Sequence, residues 1–212
     1  MIQQARAQRT RDTIIVGAAT AFDRQGYSTA SIADIASAAG VTKGALYFHF
    51  QSKDDIARAV IKRQHELSFA AGAAIIGEAR PALETMIRLC AGLAEQLVSD
   101  PVVKAGIRLT TDVSTFERPI IDPYADWLNT FEGLIRRAED EGDIAQAVDP
   151  GMLAHFIIPA FTGVQLVSDT LTAREDLFQR VREMWTILLP GLVPAERREE
   201  LGRLPELITA PD

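Results

Sequence analysis

The sequence predicts an all-α protein, and three observations predict it. Apolar residues recur at i, i+3, i+4 and i+7 along most of the chain, and no stretch sustains the alternation a strand requires. Helix starts are written in side-chain chemistry: Ser31 with Asp34, Ser52 with Asp55 and Thr172 with Glu175 are capping-type pairs. Asp100-Pro101, Asp122-Pro123 and Asp149-Pro150 each set an acceptor before a proline suited to the first helical position.

Residues 1–5 are expected to form a loose arm. A first helix is predicted from Arg6 to Gln25, with Ile14, Ala18, Ala21 and Phe22 on one face and Gly26 as its stop. Ser31 opens a second helix whose apolar face is Ile32, Ile35, Ala36 and Ala39. Gly40 ends it, Val41 plugs the turn, and Thr42 caps a third, short helix. Two short helices joined by a tight glycine turn form a helix-turn-helix, packed on the first helix through Ile32, Ile35 and Leu46. An ordinary helical hairpin has the same periodicity. Composition separates the two readings, because the outer face of the third helix carries Thr42, Lys43, Gly44, Tyr47 and His49 rather than a Glu/Lys mixture. Glycine costs a helix about 1 kcal/mol relative to alanine, so Gly44 asks for close approach by another molecule. The set suits a groove or a phosphate backbone.

A fourth helix runs from Ser52 through Ile56, Ala59 and Val60 towards Phe69, and the small residues from Ala70 to Gly77 suit a hinge or a frayed end. Leu83, Met86, Ile87, Cys90, Leu93 and Leu97 form the next stripe. A helix from Pro101 to about Asp112, a loop from Ser114 to Ile121, and a helix carrying Tyr124, Trp127, Phe131, Leu134 and Ala138 follow. The last two long helices hold Leu153, Phe156, Ile157, Ala160, Phe161, Val164, Val167 and Leu171, then Leu177, Val181, Met184 and Leu188. The tail from Pro194 to Asp212 is expected to be a short helix and a loose end.

The formal net charge is −7, unusual for a DNA binder, but it is unevenly spread. Residues 1–63 hold nine Lys and Arg against five acids, a net of +4, which leaves −11 on the remainder. Such asymmetry fits one end that meets phosphates. Arg6, Arg9 and Arg11 lie near a helix start, where cations oppose the helix dipole; they are either phosphate contacts or solvated charge. A single cysteine, Cys90, forbids an intrachain disulfide. No signal peptide or long uncharged apolar run is read, so the expectation is a soluble cytoplasmic protein without a membrane partner.

Chemistry for catalysis is missing. The sequence has no phosphate-binding glycine motif, no H-E-x-x-H and no C-x-x-C, and His49, His65 and His155 lack metal-spaced partners. No enzyme activity, metal or cofactor is expected. The second half does hold what a small-molecule pocket needs, aromatics mixed with uncharged polar groups: Trp127, Phe131, Phe156 and Phe161 with Thr110, Thr111, Thr130, Thr162 and Gln165. Singly, each aromatic also reads as plain core. The last helix pair is apolar on more than one side, through Phe156, Ile157, Ala160, Gly163, Val164 and Val167 with Met184, Trp185, Leu188 and Leu189, and excess apolar surface calls for a partner.

The run G-V-T-K-G-A-L-Y-F-H-F followed by Gln51-Ser52-Lys53 resembles the signature of TetR-type repressors. With D-R-Q-G-Y at Asp23–Tyr27, K-A-G-I-R-L-T-T-D at Lys104–Asp112 and Trp127, the chain looks like the γ-butyrolactone-receptor branch. The resemblance implies a helix-turn-helix domain over 1–52 and a ligand-binding and dimerisation domain over 53–212, with the helix from Ser52 as connector. It implies a homodimer on double-stranded, pseudo-palindromic operator DNA, with Thr42, Lys43, Gly44, Tyr47, His49 and Lys53 at the DNA. A butyrolactone or butenolide would meet Trp127, Thr130, Phe131, Phe161, Thr162 and Gln165. The matching helix pair would form a four-helix interface through Phe156, Ala160, Gly163, Val167, Met184, Trp185 and Leu188. A regulator of this kind without a small-molecule response would share these features, and an α-helical enzyme is the remaining alternative.

Overall fold

The computed structural model describes residues 2–111, 121–146 and 148–210, with side chains from residue 4 onward. All its regular elements are helical: α1 (Ile2–Gln25), α2 (Ile32–Ala38), α3 (Lys43–His49), α4 (Lys53–Gly77), α5 (Ala82–Ser99), α6 (Pro101–Thr111), α7 (Asp122–Asp140), α8 (Pro150–Thr172), α9 (Leu177–Leu192) and α10 (Arg198–Leu201). Single 3-10 turns at Ala195–Arg197 and Leu204–Leu207 flank α10.

Two compact units emerge. The first holds the chain up to Ala70 together with α6; the second holds Ala71–Glu95 and the chain from Ile121 onward. The helix-turn-helix segment expected over 1–52 thus lies in a unit that also takes in the first part of α4 and all of α6.

In the first unit, α1 buries Ile14, Ile15, Ala18, Ala19 and Phe22 against Ile35, Leu46, Ile56 and Val60, and α6 adds Val102, Ala105 and Leu109 to the same core. An ion pair at 3.3 Å joins Lys104 of α6 to Asp23 of α1. The Arg108 guanidinium donates to the Asp23 carbonyl at 3.2 Å.

In the second unit, α7 packs on α8 and α8 on α9. Met86 and Ile87 of the α5 stripe are fully buried, while Leu93 is only partly so. Cys90 is buried, and burial pushes its thiol up to about 12, the inert state expected of a small core residue.

Several expectations are corrected. α1 begins at Ile2 rather than Arg6, because Gln4-Ala5-Arg6-Ala7-Gln8 is a run of strong helix formers. Ala70–Gly77 is not a frayed end but continues α4 as helix, with the boundary between the two units falling between Ala70 and Ala71. Asp122 sits inside the first turn of α7 and Ile121 flanks it, with no side-chain cap. The Thr172–Glu175 capping box does not form; Asp176 instead gathers the Ser168 and Thr172 hydroxyls and Arg180. The tail is held down as far as Ile208, whose carbonyl accepts from Arg182 while Leu201, Pro205 and Ile208 are buried. The loop expected from Ser114 to Ile121 falls outside the described residues apart from Ile121. By length and composition alone, α8 is apolar enough to cross a membrane, contrary to expectation. It packs one side on α7 and α9 and leaves the other uncovered within the chain.

Candidate nucleic-acid interface and ligand site

Local chemistry builds the α2–α3 turn. The Ser31 hydroxyl accepts from the Asp34 N–H at 3.2 Å, and the Asp34 carboxylate accepts from the Ser31 N–H at 2.9 Å. The Ser31 hydroxyl also donates to the Asp34 carboxylate at 2.5 Å, and that bond, followed by the one from the Ser31 N–H, holds the carboxyl below its ordinary range. Gly40 takes φ +64°, which lets the Val41 N–H donate to the Ala36 carbonyl at 3.0 Å and closes α2 with a Schellman-type end. Thr42 then accepts from the Ala45 N–H at 3.1 Å and starts α3.

Seven residues are too few to hold a helix unaided. α3 is fixed by the Thr42 cap, about 1 kcal/mol, and by Leu46, its one fully buried residue. Everything else on α3 is left to the outside. Thr42, Lys43 and Gly44 are exposed, Tyr47 is 54% exposed, and His49 is half-buried. The sequence reading passed over Phe48, which is 80% exposed and meets His49 edge-on at 5.1 Å. An apolar residue between Leu46 and Phe50 carries no sequence signal that it faces outward. A Cβ on Gly44 would meet nothing nearer than the Thr42 Oγ1 at 3.9 Å, so no packing within the chain demands a glycine there.

Lys53 is turned inward. Its ammonium donates to the carbonyls of Tyr27 at 2.8 Å, Ser28 at 3.2 Å and Ala30 at 3.1 Å, and sits 4.6 Å from the Tyr27 ring centroid. All three donors are occupied, so a phosphate contact would have to displace one of these carbonyls. The structure therefore gives Lys53 a different task from the expected anchor: it ties the start of α4 to the α1–α2 connection. Arg11 lies over the Phe50 ring at 5.1 Å, while Arg6 and Arg9 are exposed.

In the second unit, Trp127 is half-buried on α7. A Cβ on Gly72 of α4 would stand 2.9 Å from its Cη2, so the indole edge lies directly on that glycine. Phe131, one turn further along α7, and Phe161 of α8 are buried. Tyr124 lies beside the Thr162 hydroxyl, and burial raises its phenol pKa. The Thr130 and Thr162 hydroxyls donate to carbonyls one turn back, Asp126 at 2.8 Å and Ile158 at 3.0 Å. Gln165 was expected at the ligand, but its side-chain carbonyl accepts from Arg174 at 3.4 Å, itself ion-paired with Asp169 at 3.3 Å. Among the described residues no cluster of His, Cys, Asp or Glu could hold a metal.

On the uncovered side of α8 and α9 lies an open groove of about 490 Å³, lined chiefly by Phe156, Ala160, Gly163, Val167, Met184 and Leu188. It also includes Ile187, 78% exposed and not anticipated. Trp185 is corrected: it is fully buried within its own chain, one turn from Val181 and Leu189, with its indole beside the Cys90 thiol. It cannot face a partner.

Residues 14–60 match the bacterial regulatory proteins of the tetR family, and residues 80–194 match the tetracyclin repressor-like C-terminal domain. The A-factor receptor protein of Streptomyces griseus is 35% identical over 192 residues, 91% of this chain and 67% of that one. The regulator TtgR of Pseudomonas putida is 45% identical over 60 residues, 28% of this chain and 29% of its own. A crystal structure of a γ-butyrolactone receptor, an ArpA-like protein, superposes with a TM-score of 0.82 at 35% identity, covering 96% of this chain and 98% of that one. CprB from Streptomyces coelicolor, in complex with its biological operator sequence, gives a TM-score of 0.84 at 35% identity over 98% of this chain and 100% of its own.

Proposed function

The chain belongs to the TetR family of bacterial transcriptional regulators, and on that premise we propose that it is a dimeric repressor released from its operator by a small γ-butyrolactone- or butenolide-type signal. The observation that carries this reading is the outer face of α3. Thr42, Lys43, Gly44 and Tyr47 are presented to solvent by a helix that buries only Leu46. Two such helices would enter successive major grooves of a pseudo-palindrome, with half-sites about one helical turn apart. Thr42, Tyr47 and His49 would hold phosphates and fix register, and Lys43 would reach phosphate or base. Residues 1–52 would carry the reading head and 53–212 the regulatory body. The uncovered α8–α9 face would be buried against its copy, giving the dimer.

Trp127, Phe131 and Phe161 would meet the ligand. The protein releases DNA only through the ligand's differential affinity for its two states. One observation favours a second reading, a regulator without a small-molecule response: the Thr130 and Thr162 hydroxyls and the Gln165 carbonyl all have partners within the chain.

The deciding experiment is a gel-shift release curve on operator DNA with a long-chain γ-butyrolactone, for wild type and Trp127→Phe. The substitution keeps the aromatic bulk and deletes the N–H. If that donor meets a lactone oxygen, losing it costs about 1–3 kcal/mol, so release should need roughly ten- to hundredfold more ligand. Superimposable curves would take Trp127 out of the ligand site, and no release of wild type by lactone or butenolide would favour the second reading.

A further inference from the structure

We propose that Phe48 reads the 5-methyl group of a thymine in the major groove, with Gly44 leaving the room the base edge needs. This rests on the reading of the chain as an operator binder and adds a specificity residue to it. Phe48 is 80% exposed, and its ring is absent from the cluster that α3 serves through Leu46. Gly44 lies four residues earlier, hence directly beneath it on the same helical face. Each residue is unfavourable in the isolated chain: a phenyl ring stands in water, and a glycine weakens a helix where a Cβ would touch nothing closer than 3.9 Å.

One occupant accounts for both. It must be apolar where Phe48 projects and must come close to the backbone at Gly44. A phosphate fails the first demand, since the ring offers no donor to an anion. In the major groove the apolar feature is the thymine methyl, and phenylalanine is among the side chains that contact it. Lys43 and Tyr47, the neighbours of Gly44 and Phe48, are exposed beside this stripe and bear the polar groups that phosphates and base acceptors take.

The test uses the full chain and an operator selected from random-sequence DNA. Each thymine is replaced in turn by deoxyuridine, which removes only the methyl group. At fixed salt, wild type should lose about fourfold in affinity at one position per half-site, the partition of a single methyl group. Phe48→Ala should bind the thymine and deoxyuridine operators equally well. It should keep the wild-type salt slope, because no charge contact is lost. Its thermal unfolding should match wild type, which separates a reading role from a folding one. Wild type indifferent to deoxyuridine at every position would overturn the proposal. So would a Phe48→Ala protein that still discriminates. Failure of wild type to select any sequence would instead overturn the operator-binding premise itself.

Discussion

Gly17 of α1 lies against the backbone of Ala39 at the end of α2: a Cβ on Gly17 would stand 2.5 Å from the Ala39 nitrogen and 2.6 Å from its Cα. Backbone atoms at that distance cannot move aside as a side chain can. Alanine normally favours a helix over glycine by about 1 kcal/mol, but here overpacking of about 1–3 kcal/mol opposes it. Gly17→Ala should therefore lower stability in urea unfolding and weaken operator binding together, since α2 positions α3. Gly133→Ala, at an exposed α7 site with nothing within 4 Å, should be neutral or stabilising. Equal effects at the two sites would disprove the close approach.

Lys53 gives a prediction that separates structure from DNA contact. Lys53→Met keeps the stem and removes the ammonium, stranding three carbonyls at Tyr27, Ser28 and Ala30. The group is half-exposed, so water can satisfy part of the loss, and a cost of about 1–2 kcal/mol is expected in urea unfolding. The slope of log affinity against log salt should stay near wild type. A drop of about one unit in that slope, with stability unchanged, would restore the phosphate role.

Much of the reading head was legible because its geometry is local. Ser31, Asp34, Gly40 and Thr42 act within four residues of themselves, and each does what its chemistry predicts. Lys53 was misread because its partners lie 23 to 26 residues away, beyond any pattern window. Trp185 was misread for another reason. α9 is apolar on two columns, and periodicity alone does not say whether Val181, Trp185 and Leu189 or Met184, Ile187 and Leu188 face inward. Thr172 and Glu175 fit a capping box by spacing. Yet Ala173 and Arg174 both take positive φ, a tertiary choice tied to the burial of Arg174 that breaks the box.

The α8–α9 junction should be acid-sensitive. Hydrogen bonds from the Ser168 and Thr172 hydroxyls and Arg180 hold the Asp176 carboxyl at about 2, below its ordinary value. A folded-state pKa depressed in this way contributes stability that is full above about pH 4 and fades as pH falls towards 2. Asp176→Asn should lower stability at neutral pH and flatten the dependence between pH 4 and 2. Parallel pH–stability curves for the two proteins would show that the clamp contributes nothing.

Gly163→Glu tests the uncovered face. Gly163 is exposed with nothing within 4 Å of an added Cβ, so the single chain can accept the new side chain without a clash. In a tight helix crossing between two copies the same change inserts an unpaired charge, which costs several kcal/mol when buried. Sedimentation should show a folded monomer, and tight operator binding should be lost with the dimer. A variant that remains dimeric would move the interface away from Phe156, Gly163 and Val167.

Gly72 and Trp127 supply the counterpart to Gly17. The atom a methyl group would meet at 2.9 Å is the tip of an indole ring, with the Leu89 side chain at 3.4 Å, rather than backbone. A ring can rotate by a few tenths of an ångström where a main chain cannot, so Gly72→Ala should cost clearly less stability than Gly17→Ala. The displacement must show elsewhere, in the environment of Trp127. Near-ultraviolet circular dichroism of the variant, read in a Trp185→Phe background that leaves Trp127 as the remaining tryptophan, reports on that displacement. If Trp127 meets the ligand, the lactone concentration for half-release should rise by roughly tenfold, about 1.4 kcal/mol, while operator affinity without ligand stays near wild type. An altered dichroism signal with unaltered release would separate the position of this ring from ligand binding. An unaltered signal would mean that the ring does not rest on Gly72 in solution.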